Sequence, residues 1–182
     1  MKELSLNLLD IAQNSLSAGA SLVEIAITAS RSSDRLEIAV IDNGCGMTEE
    51  QVRSVIDPFY TTRTTRKIGL GVPLFRMAAQ QAGGDLKISS QPGKGTHLSA
   101  YFTLSSVDRM PLGDLKGTLL ILVRMNESVD FLYTERLDDR EMIIDTRELR
   151  EVLGDVRLDD PDVIDWISGY YDENSPFKNE NY

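Results

Sequence analysis

Apolar residues recur along this chain with two different periods. Between Lys2 and Ala18 the positions Leu4, Leu8, Ile11 and Ser15 fall on one side of a predicted helix, and Asn7, Asp10, Asn14 and Ser17 fall on another. Leu36 to Ile41 is a strand-like run that delivers Asp42-Asn43-Gly44-Cys45-Gly46-Met47. Helical spacing returns at Leu74, Met77, Ala78, Gln81 and Ala82, behind Gly69-Leu70-Gly71-Val72-Pro73. Proline is favoured in the first turn of a helix, so this one is predicted to start at Val72 or Pro73. Gly83-Gly84 stops it, Asp85 to Ser89 alternates as a strand, and Gln91 to Thr96 turns the chain into a strand from His97 to Leu104.

Further along, the apolar run Thr118 to Val123 reads as a strand, as do Val129 to Thr134 and Met142 to Ile144. Asp145-Thr146-Arg147-Glu148 has the form of a capping box, and Asp160-Pro161 opens a second helix through Ile164, Trp166 and Ile167. From Asn174 onward the chain reads as unstructured.

Charge divides the 182 residues unevenly. Met1 to Ser106 carries ten acidic and ten basic residues, whereas Val107 to Tyr182 carries nineteen acidic and nine basic, so the net charge of -10 belongs to the second part. Such an appendage repels a phosphate backbone, which disfavours nucleic acid as a partner. No apolar run approaches membrane-spanning length and no leader pattern opens the chain. The single cysteine, Cys45, has no partner for an internal disulfide and reads as a small filler in its glycine turn. The expected location is cytoplasmic.

Candidate chemistry sits in the first part. A carboxylate carried by a strand into a glycine turn, as at Asp42, can accept a hydrogen bond while bare backbone lets a ligand lie close. An ordinary turn is also written this way. Asn and Asp are poor helix-interior residues, so Asn7, Asp10, Asn14 and Ser17 suggest a polar face turned to a ligand as well as an outer stripe. Asp10 and Asn14, four apart, converge on one side. From Pro58 to Gly84 there is no acidic residue, while Arg63, Arg66, Lys67 and Arg76 supply positive charge suited to polyphosphate, or a solvated basic loop. The predicted helix after Gly69-Leu70-Gly71 offers an amino end at which amides and dipole favour an anion. Gly44-Cys45-Gly46 and Gly69-Leu70-Gly71 both lack the third glycine of a dinucleotide turn, and Gly93-Lys94-Gly95-Thr96 does not spell a P-loop.

Taken in order, these segments resemble the GHKL ATPases, the superfamily of DNA gyrase B, heat-shock chaperone, histidine kinase and mismatch-repair ATPases, and most of all the histidine-kinase catalytic domain. Asp10-x-x-x-Asn14 resembles the N box, Asp42-x-Gly44-x-Gly46 the first glycine box, and Asp57-Pro58-Phe59-Tyr60-Thr61-Thr62 the kinase-type F box. Gly69-Leu70-Gly71 resembles the second glycine box and Gly95-Thr96 the third. The resemblance runs from Met1 to about Ser105.

The resemblance implies an α+β fold, a two-layer α/β sandwich with helices on one face of a mixed sheet, known as the Bergerat ATP-binding fold. Residues 1–106 would be the ATPase domain, 107–173 a small appended α+β module, and 174–182 a disordered tail. It implies ATP with magnesium as ligands, Asp42 as adenine reader, and Asn14 as magnesium ligand. Gly44 and Gly46 would lie in the nucleotide site, Gly69, Leu70 and Gly71 would offer amides to the phosphates, Lys67 would close over them, and Thr96 would stand near the base. Asp10 takes the catalytic position, where gyrase-like relatives carry Glu and histidine kinases commonly Asn. Aspartate is one methylene shorter than Glu, so its bond to an attacking water is less direct. The chain begins almost at the N box, with no room for a phosphoacceptor hairpin, and His97 is expected to be a partly buried neutral imidazole. The expectation is therefore a magnesium-dependent ATPase or protein kinase acting on a separate protein in trans. A nucleotide-sensing regulatory module without turnover, and a purely structural subunit, are the alternatives. In the acidic part, Trp166, Tyr170 and Tyr171 among carboxylates are candidates either for core packing or for docking a basic partner.

Overall fold

The computed structural model describes residues 3–57 and 70–178. The helix expected at the start is α1 (Leu4–Ser17). It is followed by β1 (Leu22–Ser30), β2 (Arg35–Asp42), α2 (Glu49–Ile56), α3 (Gly71–Gln81), β3 (Asp85–Gln91) and β4 (Gly95–Thr103). The acidic part contributes α4 (Leu115–Met125), β5 (Asp130–Leu137), β6 (Arg140–Asp145), α5 (Thr146–Leu153) and α6 (Pro161–Asn174). No helix among the described residues is long and apolar enough to cross a membrane.

The strands form one mixed sheet in the order β3-β4-β2-β1-β5-β6. All neighbours are antiparallel except β1 and β5, which run parallel with Leu22 opposite Asp130 and Ala29 opposite Leu137. Burial alternates along the strands as period-two side-chain geometry requires. Val23, Ile25, Ile27 and Ala29 of β1 face inward with Leu36, Ile38 and Val40 of β2, Leu98, Ala100 and Phe102 of β4, and Phe131 and Tyr133 of β5. Leu4, Leu8 and Ile11 of α1, Phe75 and Ala79 of α3, Leu119 and Leu122 of α4, and Ile167 of α6 complete the same core. This is the α+β, two-layer arrangement expected from the sequence.

Two local expectations are corrected, and one helix is added. The run Thr118 to Val123 is helical: Asp114 caps α4 by accepting from the Gly117 N–H at 2.7 Å, and Leu115, Thr118, Leu119, Leu122 and Val123 are buried with helical spacing. A short apolar run does not distinguish strand from buried helix, and here the cap decides. α2 was not expected, although Thr48 and Gln51 form a reciprocal capping box at its start. The chain also remains packed beyond Asn174, where Ser175 and Phe177 are buried.

Residues 107–178 join the first part through α1 as well as through β1. The N–H groups of Leu4 and Ser5 donate to the carbonyls of Pro111 and Leu112 at 2.9 and 2.8 Å, so the first turn of α1 is satisfied by the segment leading into α4. On β5, Glu135 is wholly buried and accepts hydrogen bonds from Tyr133 (2.6 Å), Tyr171 (2.5 Å) and Ser175 (2.5 Å), which fixes the end of α6 to the sheet. Tyr171, one of the candidate docking residues, is therefore an interior residue.

Candidate nucleotide site

β2 ends with Asp42 only 8% exposed. Its Oδ2 accepts from the Ser15 hydroxyl at 2.7 Å and its Oδ1 from the Gly44 N–H at 2.9 Å. A carboxylate held on both oxygens by neighbouring donors keeps a fixed orientation and retains free lone pairs. Ser15 closes the apolar side of α1, and its hydroxyl is what the helix offers to the strand. The next residue, Asn43, accepts from the N–H groups of Ser21 and Leu22 at 2.9 and 3.0 Å, so it anchors the entry to β1.

Glycine is required in this turn for two physical reasons. At Gly44 a Cβ would lie 2.9 Å from the Cβ and the carbonyl oxygen of Ala18, so only a bare backbone fits against the end of α1. Gly46 has φ +65°, and a side chain there would run into the Gln91 carbonyl. The Cys45 N–H donates to the Ala18 carbonyl at 2.9 Å, and the Cys45 carbonyl accepts from Gly93 at 2.7 Å. The glycine turn thus bridges the end of α1 to the β3–β4 turn. Cys45 itself is exposed, not the packed filler expected.

Thr96 lies opposite Asp42 in the β2–β4 register. Its hydroxyl is 3.0 Å from that of Ser90, which also accepts from the Met47 N–H at 2.8 Å. Gly95, with φ +92°, presses its Cα against the Asp42 backbone so closely that a Cβ would collide with the Asp42 carbonyl. His97 is exposed, contrary to expectation, because it falls on the sheet face that the helices leave open.

The other end of the site is built from α1 and α3. The structure starts α3 at Gly71, before the expected Val72 to Pro73, and no side chain caps it. A Cβ on Gly71 would lie 3.1 Å from Oδ2 of Asp10, so the segments that resemble the second glycine box and the N box meet there. Leu70, at the cap position, is exposed, as is Asn14 one turn beyond Asp10. Asn7 departs from the expected polar face: it is 1% exposed, with an Oδ1 that has no hydrogen-bond partner among the described residues. Gly69 and Lys67, with Arg63, Arg66 and the segment from Pro58, lie outside the described residues. Arg76, expected to add to the positive field, instead bonds Asp85 at 3.0 Å and holds its carboxyl below the usual carboxylate range.

The residues present suit a purine nucleotide. An oriented carboxylate stands at one end of α1, and an uncapped helix amino end stands beside Asp10. Five residues of α1, about 7.5 Å of helix rise, separate Ser15 beside Asp42 from Asp10 beside Gly71. No group of three or more His, Cys, Asp or Glu side chains that could hold a metal occurs among the described residues. A larger hollow of about 570 Å³ opens at the opposite end of the sheet, around Ser30, Arg31, Arg136 and Asp138. Its cations are already engaged, Arg31 with Asp138 and Arg136 with Glu141.

The profile described as histidine kinase-, DNA gyrase B-, and HSP90-like ATPase matches residues 1–106. The sensor histidine kinase ZraS of Escherichia coli (strain K12) is 29% identical over 106 residues, covering 58% of this chain and 23% of the relative. Sporulation kinase C of Bacillus subtilis (strain 168) is 30% identical over 98 residues, 54% of this chain and 23% of the relative. The signal transduction histidine-protein kinase AtoS of Escherichia coli (strain K12) is 35% identical over 98 residues, 53% and 15% respectively. The chain thus spans less than a quarter of the length of these relatives. A crystal structure of the N-terminal domain of a DNA repair protein shares the fold, with a TM-score of 0.51 at 13% identity over 79% of this chain and 52% of that one.

Proposed function

Because the chain belongs to the histidine kinase-, DNA gyrase B- and HSP90-like ATPase family, we propose that its histidine-kinase-like ATP-binding domain uses magnesium and acts on a separate protein, by phosphoryl transfer or by hydrolysis. The observation that carries this reading is the placement of Asp42 and Asp10 at the two ends of one stretch of α1, each set against a glycine box.

In this reading Asp42 accepts from the exocyclic amine of adenine. Guanine presents a carbonyl at that place, and two facing acceptors leave a buried group unpaired at a cost of about 1–3 kcal/mol. Gly44 and Gly46 let the base lie against backbone, with Thr96 beside it. Leu70 and Gly71 would offer amides to the phosphates, and the resemblance assigns Gly69 and Lys67, outside the described residues, to the same site. Asn14 would hold magnesium through its amide oxygen. The bound ion would neutralise phosphate charge. Asp10 orients the attacking water, or the attacking group of the partner protein. We place the activity in the cytoplasm, where ATP coexists with reduced thiols such as Cys45.

Calorimetric titration with ATP, ADP and GTP in the presence of magnesium, followed by phosphate release, tests the proposal. ATP and ADP should bind and GTP should not, and Asp42→Asn should weaken ATP at least tenfold. Unchanged affinity in that variant would overturn the adenine assignment.

A second reading, nucleotide sensing without turnover, is favoured by one observation. Asp10 leans on the uncapped amino end of α3, where a carboxylate stabilises the helix whether or not it touches a reacting group. Tight ATP binding with no phosphate release from the parent protein would select it.

A further inference from the structure

α6 buries Val163, Ile164, Ile167 and Tyr171 and leaves its opposite side uncovered. Asp162, Trp166, Gly169 and Glu173 follow one another at helical spacing along that side, and all four are exposed. Trp166 is 54% exposed, yet its ring stacks on Tyr170 with centroids 5.4 Å apart and planes 18° from parallel. The core-packing alternative for Trp166 is thereby excluded. A large aromatic surface left in water but already held in one orientation is the kind of platform from which interface anchors are made.

Gly169 sits beside this platform in mid-helix. A glycine there costs helix stability, and nothing lies within 4 Å of where its Cβ would be, so no packing constraint calls for it. A local rule broken without a folding gain points to a surface kept clear for something else. The surrounding charge says what. Asp162, Asp165 and Glu173 are exposed and form no ion pair with a described residue, whereas neighbouring Asp172 is taken by Lys116 at 3.0 Å.

We propose that this face of α6 docks a basic segment of a partner protein, with an arginine stacked on Trp166 and its neighbouring cations set against Asp162, Asp165 and Glu173. Arginine is chosen over lysine because its planar guanidinium stacks on an indole face while its N–H groups reach carboxylates. The inference gives the partner of the proposed function a chemical character, and it stands independently of nucleotide binding.

Trp166 is the one tryptophan of the chain, so its fluorescence reads the site directly. The 182-residue protein titrated with a hexa-arginine peptide should show a saturable change in emission, at least fivefold tighter than with hexalysine. Hexaglutamate should give none. The triple change Asp162→Asn, Asp165→Asn, Glu173→Gln should weaken hexa-arginine at least tenfold. Glu148→Gln with Glu151→Gln, which removes charge from α5, should leave it unchanged. Gly169→Leu should raise Tm by about 2–4 °C while weakening the peptide several-fold, a pair of opposite signs that a structural role would not give. Equal affinity for hexalysine, equal losses from the α5 variant, or a dimer that Trp166→Ala dissociates, which would make a second copy the occupant, would each overturn the proposal.

Discussion

The hydroxyl of Ser15 on α1 donates to Oδ2 of Asp42 at the end of β2, 2.7 Å away. One hydrogen bond therefore links the helix that carries Asp10 and Asn14 to the carboxylate proposed to read the base. Ser15→Ala removes the donor that fixes Asp42 without touching nucleotide itself. We expect ATP affinity to fall roughly tenfold, about 1.4 kcal/mol, measured by calorimetry, with phosphate release at saturating ATP unchanged.

Asp10 and Gly71 give a different signature. Asp10→Asn should abolish phosphate release and leave ATP affinity within about twofold. Gly71→Ala places a methyl group 3.1 Å from Oδ2 of Asp10 and should weaken nucleotide binding while the fold persists. Loss of binding in Asp10→Asn, followed by equilibrium titration, would count against the assignment of Asp10 to the chemical step.

Glu135 tests the other half of the molecule. Three hydroxyls satisfy its buried carboxylate, so Tyr171→Phe or Ser175→Ala should each cost about 1–3 kcal/mol of stability, a fall in Tm of roughly 2–4 °C per kcal/mol. ATP affinity of the surviving folded protein should not change, because the cage lies on β5 and α6, away from the glycine boxes.

The same cage predicts an alkaline limit. Burial, and then the charge of Glu135, raise the ionisation of Tyr133 well above that of a free tyrosine, and Tyr171 is raised by the same causes. In the unfolded chain both lose protons near pH 10, so the folded state binds more protons above that pH. Their contribution is complete below pH 10 and declines as pH rises toward the folded values. Thermal melts should show Tm falling above pH 10, and the double variant Tyr133→Phe, Tyr171→Phe should flatten that decline.

Much of the site was legible because its determinants are local. Asp42 and its glycines are read from a strand ending in a turn, and α1 from an apolar stripe whose other side carries misplaced short polar residues. The hydrogen-bonding roles of Ser15 and Asn43 are not legible in the sequence because their partners, Asp42 and the start of β1, lie more than twenty residues away. The buried position of Asn7 was hidden for a related reason: periodicity shows which residues share a face and says nothing about what covers it. α4 is not legible as a helix in Thr118 to Val123 alone, because Asp114 and Leu115 supply the cap and the first inward residue. The parallel pairing of β5 with β1 depends on contact across about a hundred residues, and no local pattern encodes it.

That pairing sets the order in which the molecule can be completed during synthesis. When the ribosome has released residues 1–106, every family motif is outside the exit tunnel, but β1 still presents an unsatisfied backbone to any chain nearby. Only after β5 emerges does the strand acquire its permanent neighbour. Until then β1 is an edge strand, open to pairing with another chain.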